Sequence, residues 1–312
     1  MSLDLKSLPA PAVVETLDYE AILDGLRADL LTRYPTAAEV LDLESEPLLK
    51  LMEVAAYREL LIRARINDAA RAVMLPWAVS ADIDSLASRY DVERLPGEDD
   101  ERLRARVLIG YHALSAAGST HSWRLRALSQ SVDVRQVDVW ADRPGRVKVC
   151  LLARVAVPAA TLDDEAQALG RALFGEHPAA QSGSMRWRVA SAGDAIVGKV
   201  ETALLAEDVR PLTVDVDVTA ARVLPVAVSA TLVHPPGPDG ALLAAQAAAR
   251  VRRLAAATAF RVDVTRAALI AALMGDGIRD VHLHAPAADV AAGPGEVPAI
   301  TAITVTAEAR HD

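Results

Sequence analysis

Residues Ser45–Leu75 read SEPLLKLMEVAAYRELLIRARINDAARAVML, with no glycine and no proline after Pro47. Ser45 suits a helix start, and Pro47 stands where a first-turn proline is tolerated. The stretch predicts one uninterrupted helix, roughly 45 Å long at a rise of 1.5 Å per residue. Its apolar residues advance by alternating steps of four and three: Leu48, Met52, Ala55, then Ile62, Ile66, Ala69 and Val73, broken only by Glu59. That spacing is the seam of a helix wrapped against partner helices, within the chain or between chains. The length, beyond that of an ordinary helix, favours contact of some part of the seam with another chain.

Working outward, Asp18 is placed to cap an earlier helix whose apolar stripe is Tyr19, Ile22, Leu23, Leu26 and Leu30, with Pro35 beyond its end. Residues Met1–Thr16 form a proline-rich arm, expected to be extended, as a free terminus or as a strap on a neighbour. On the other side of the long helix, three short helices are expected. The first is Asp82–Tyr90. The second opens at Glu98, Asp99, Asp100 and Glu101, acids that suit a helix N-terminus, with a buried stripe of Leu103, Val107, Leu108, Tyr111 and Leu114. The third starts at Ser119 or Thr120, after the break at Gly118.

The period then changes from helical to alternating. Val132, Val134, Val137 and Val139 lead through an RPG turn to Val147, Val149 and Leu151, which reads as a hairpin. A helix over Leu162–Phe174, a short strand in GSMRWRV and a helix over Ala195–Ala206 follow. A second unit is read from Asp208: an alternating strand with Val214, Val216 and Val218, a strand over Val226–Val233, the loop HPPGPDG and a helix over Ala241–Ala257. A helix capped by Thr265 and closing strands over Ile278–Leu283 and Ile300–Val305 complete it. The expected fold class is α+β: an α-helical N-terminal head with a long heptad helix, then two small α+β domains. The divisions fall at 1–44, 45–130, 131–207 and 208–312.

With 312 residues, 52% of them apolar, the chain can build more than one core. Aromatics are only 4%, which favours thin layers over a large pocketed body. The net charge of −9 is poorly suited to coating nucleic acid, where phosphates demand clustered Lys and Arg. Cys150 is the single cysteine, so no intrachain disulfide is expected, in keeping with a reducing compartment. The opening MSLDLKSLPAP does not read as a secretion signal, and no apolar run approaches the roughly 20 residues that span a bilayer. The expectation is a protein made and kept in the cytoplasm, without membrane contact.

Residues that could carry chemistry are sparse. His282 and His284 share one face of a strand with Asp280, but the simpler reading is a polar face of an edge strand. Cys150 sits inside the alternating VKVCLL and reads as a small core residue. The glycines of Pro236–Gly240 lack the Lys-Ser/Thr of a phosphate cradle. The acids Glu98–Glu101 diverge around a helix, and Arg250, Arg252 and Arg253 suit a helix C-terminus. No catalytic residue, cofactor site or metal site is assigned, and no enzymatic activity is expected.

Several stretches resemble the baseplate J-like family of contractile-tailed phages and related injection machines. RINDAARAVMLPWAVSADIDSLASRYDVER is similar to the family's passage from an R-I-N helix into a Leu-Asp-x-Leu-Ala helix and a V-x-R end. The resemblance continues through GEDDERLRARV, the AAGST turn at Ala116–Thr120 and VRPLT at Val209–Thr213, ahead of a V-x-V strand. Ala81 and Ile83 stand where the family usually has Gly and Leu, and Val214 intervenes before Asp215. The resemblance implies a baseplate wedge subunit of a phage tail or tailocin. Its N-terminal helices would join a bundle with a second wedge protein, and its later domains would pair with further copies of itself in a ring around the tail hub. Other hub or sheath-proximal tail proteins would be neighbours, with assembly in the host cytoplasm and residence in the tail baseplate. The bundle residues it implies are Leu23, Leu26, Leu30, Leu48, Met52, Ala55, Ile62 and Ile66. The rival readings are a tail-associated cell-wall hydrolase and a cytosolic adaptor unrelated to phage.

Overall fold

The computed structural model describes residues 12–43, 45–114, 118–180, 183–207, 209–211 and 213–310. Most of the proline-rich arm, part of the AAGST turn and one residue of VRPLT therefore lie outside the described residues. The class is mixed helix and sheet, with helices first. There are two compact units. One comprises the described residues through Arg94 together with Glu98–Leu108; the other is Leu95–Gly97 with the described residues from Ile109 onward.

In the first unit, helix α1 (Tyr19–Arg33) starts at Asp18, whose carboxylate accepts the backbone N–H of Glu20 and Ala21. A 3-10 turn over Pro35–Glu39 leads towards α2 (Pro47–Ala72), 26 residues and about 39 Å long. The two helices share a core of Leu23, Ala37, Leu41, Met52 and Ala56, with Ile22, Leu26, Leu30 and Leu48 packed around it. Each large side chain buried there contributes about 1.5–3 kcal/mol. Helix α3 (Ala81–Ser88) buries Ile83, Leu86 and Ala87, and α4 (Asp100–Ala113) buries Leu103 and Val107.

Two expectations about α4 need correction. Tyr111 and Leu114 are not part of a buried stripe; both are more than 60% exposed. Glu98 is not a solvated charge at a helix start. Its side chain is fully buried, 2.7 Å from Arg106 and 3.2 Å from Arg102. A buried guanidinium such as Arg106 needs an opposite charge beside it, and that requirement takes Glu98 out of the acid run. Asp99 keeps a helix-start role, accepting the backbone N–H of Arg102, whereas Asp100 accepts the N–H of Ser80, just before α3.

The second unit holds two sheets. Strands β1 (Val134–Arg143) and β2 (Arg146–Pro158) form the expected hairpin, with Val139 opposite Val149 and Gly145 taking the positive φ that the turn requires. Helix α5 (Thr120–Leu128) and α7 (Ala195–Leu204) close over this sheet on Trp123, Val149, Leu151, Val200 and Leu204. Between them in sequence come α6 (Asp164–Phe174) and β3 (Met185–Val189), which is antiparallel to the last part of β2. Strand β4 (Asp215–Ala220), read as the opening of the second set, pairs in parallel with the first half of β2 instead. Alternation identifies a strand and its buried face; it carries no information about which sheet the strand joins.

The second sheet has the order β6-β5-β7, with β5 (Arg222–His234) central, β6 (Asp280–Ala285) antiparallel and β7 (Glu296–Ala309) parallel to it. Helices α8 (Gly240–Ala256) and α9 (Arg266–Leu273) cover one face through Ala247, Val251, Leu269 and Leu273. Arg250 of α8 donates to the carbonyls of Ala272 and Leu273, so its cation serves the end of the neighbouring helix rather than its own. The sheets join through Leu152, Leu173, Val297 and Ala299, and through the buried Asp138. That carboxylate accepts from Arg261 Nε at 2.7 Å and from the Gly295 N–H at 3.1 Å.

Candidate partner interface

Among the described residues, helix α2 is covered by α1 on one face only. Leu49, Met52 and Ala56 point inward and are buried. At 3.6 residues per turn, Leu51, Ala55, Ile62, Ile66, Ala69 and Val73 form a stripe roughly 110° away from that face. The stripe faces solvent: Leu51 is 66% exposed, Ile62 61%, Ile66 53% and Val73 62%. Val54, Tyr57 and Leu61 add further exposed apolar surface on the same helix. An exposed apolar stripe of this length, interrupted at Glu59, is the mark of an interaction surface.

The eight residues read from sequence as one bundle surface divide accordingly. Leu23 and Met52 are buried, and Leu26, Leu30 and Leu48 are half-buried, all five within the α1–α2 core. Ala55, Ile62 and Ile66 lie on the exposed stripe. Leu48 and Met52 thus help hold the hairpin together, while Ala55, Ile62 and Ile66 have no cover among the described residues.

Two polar devices flank the stripe. Arg63 pairs with Glu59 one turn away at 2.7 Å and with Glu15 at 2.9 Å; both carboxylates hold the guanidinium more firmly protonated, Glu59 first. Asn67 is buried, and its amide meets the backbone of Glu15 in both directions. Its Oδ1 accepts the Glu15 N–H at 3.0 Å, and its Nδ2 donates to the Glu15 carbonyl at 2.8 Å. The chain leading into α1 is therefore pinned across α2. Asn67 lies one residue on from Ile66, about 100° round the helix and off the apolar seam, so the spacing gives no sign of its role, although it is the last residue of the R-I-N stretch.

The motif ending in V-x-R also acquires a physical role. Arg94 lies 2.7 Å from both Asp84 and Asp100, tying α3 to the start of α4. The Ser80 backbone N–H, then Arg94, hold the Asp100 carboxyl below its usual range.

The other candidates do not assemble into a reactive site. His282 and Asp280 are 3.6 Å apart on the exposed face of β6, while His284 bonds to Thr231 Oγ1 at 2.9 Å. Among the described residues no group of three or more His, Cys, Asp and Glu side chains converges in a metal-binding arrangement. Cys150 is buried near the Gly295 carbonyl, and burial pushes its thiol up to about 11, well away from a reactive thiolate. Among the described residues no helix is long and apolar enough to cross a membrane.

Comparison with known proteins places these features in a lineage. The family model described as Baseplate J-like N-terminal domain matches residues 44–97, which span α2, α3 and Arg94. Baseplate protein J of Escherichia phage P2 is 33% identical over 309 residues, covering 92% of this chain and 92% of its own length.

Proposed function

The chain belongs to the baseplate J-like family, and from that premise we propose that it is a structural wedge subunit of a contractile tail. A structural role in a phage baseplate follows from the kinship. The finer assignment goes further. Helices α1 and α2 form a bundle with helices of a second wedge protein, and the α+β unit meets further copies of the same chain in a ring around the tail hub. The protein is assembled in the host cytoplasm and resides in the tail baseplate of a phage or tailocin particle. It acts by holding contacts in one ring state and exchanging them when the tail contracts, rather than by catalysis.

The observation that carries this reading is the uncovered stripe Leu51–Val73 on α2. A long apolar seam left in water is costly for a free protein and is removed by helices from another chain. The test is deletion of the gene with complementation in trans. Particles made without the protein lack assembled baseplates, and the wild-type chain restores them. Normal contractile particles in its absence would overturn the assignment.

A further inference from the structure

Helices α6 and α8 both pack on β7, and an open groove of about 310 Å³ remains between them. Its floor is apolar: Ile303 is half-buried, and Ile300 belongs to the core beneath. Its walls are alanines, Ala168 and Ala172 one turn apart on α6, and Ala255 and Ala256 on α8. Methyl groups on both walls leave space that longer side chains would fill, so the floor keeps apolar surface in water.

The rim of the groove is cationic. Arg171 on α6 and Arg252 on α8 are exposed and line it, and among the described residues no carboxylate does. That local excess runs against the net charge of −9 of the whole chain. Arg252 makes no ion pair among the described residues. Arg171 pairs with Glu176 at 2.8 Å, but both side chains are more than half exposed, so the pair contributes little and can be exchanged for a carboxylate from outside.

These features select the occupant. A small ligand is enclosed over most of its surface by its site, whereas this groove is open to solvent and fits a protein segment laid into it. A second copy meeting this face about a two-fold axis would set arginine against arginine. We propose that the α6–α8 groove seats an apolar segment of a different protein, flanked by carboxylates that pair with Arg171 and Arg252. The segment's apolar side chains fill the space over Ile300 and Ile303, and the two arginines fix its position along the groove. This contact goes beyond the bundle and the ring proposed above, and it rests on that reading only in taking the chain to work inside a particle.

The test returns the full chain to particles that lack it, carrying the photo-cross-linking substitution Ala256→p-benzoylphenylalanine at the exposed rim. On irradiation the probe joins the chain to a different protein, and the joined peptide holds apolar residues with Asp or Glu within about four positions. Arg171→Glu combined with Arg252→Glu lowers the yield of assembled particles roughly tenfold or more. The purified double variant still unfolds near the wild-type urea concentration, because both positions are exposed. Arg253→Glu, exposed and outside the groove lining, leaves the yield unchanged. A cross-link to a second copy of this chain, to a lipid or to a segment without acids would overturn the proposal. So would particles that assemble yet give no cross-link, a double reversal that assembles like the wild type, or Arg253→Glu as damaging as the double reversal. Each of these outcomes leaves the baseplate role standing, which the gene deletion tests separately.

Discussion

Replacing Ile62 and Ile66 together by Asp separates the folded chain from its assembly. In the chain alone these side chains are 61% and 53% exposed, so the surface still open to burial amounts to about one isoleucine, worth about 1.5–3 kcal/mol when a partner covers it. Two carboxylates pressed into an apolar bundle add a desolvation cost of several kcal/mol. The total loss is at least about 4 kcal/mol, close to a thousandfold in the dissociation constant of the helical bundle. In the free chain the same changes fall on solvent-facing positions, so stability should move by no more than about 0.5 kcal/mol apart from small helix-propensity terms. Met52→Ala is the contrasting control: Met52 is 8% exposed inside the α1–α2 core, and its truncation should cost about 2–5 kcal/mol of folding stability. The assay is thermal and urea unfolding of each purified variant, beside complementation of particle assembly. The reasoning is refuted if the double Asp variant unfolds as early as Met52→Ala, or if it supports assembly as well as the wild type.

Further outcomes follow from single contacts. Gly170→Ala would drive a methyl into the Trp187 carbonyl oxygen, so α6 and β3 must move apart; a loss of about 1–3 kcal/mol in urea unfolding is expected. Asp194 is held at about 2, below its ordinary 3.8, first by its pair with Arg188 at 2.7 Å. Because the folded value is the lower one, the stabilisation is present above about pH 4 and vanishes as the pH falls through 2. Asp194→Asn should therefore cost about 2 kcal/mol at pH 7, with the gap to wild type closing between pH 4 and pH 2 in pH-resolved unfolding. Asn67→Ala removes both bonds to the Glu15 backbone, so hydrogen exchange should show the Glu15 amide losing its protection while the α1–α2 core keeps most of its own.

The long helix, its cap-side neighbour and most strands were readable because period and caps are local properties of the chain. Asp18, Ser119 and Thr265 each cap the helix their position implies. What was not readable depends on where distant segments land. The heptad spacing of α2 is the same along its length, so it does not reveal that α1 covers the face of Met52 and leaves the face of Leu51, Ile62 and Ile66 open. Glu98 looks like its acidic neighbours until Arg106 is seen buried beside it. Alternation in β4 marks its inward face but not its partner β2. Asn67 lies off the apolar seam, so no period marks its bonds to the distant Glu15 backbone.

The most direct measurement is an electron-microscopy reconstruction of the assembled particle at a resolution that traces side chains. The face carrying Leu51, Ile62, Ile66 and Val73 is expected to lie against helices of another chain in the baseplate. A baseplate in which that face stands open to solvent, or a particle without this protein, would contradict it.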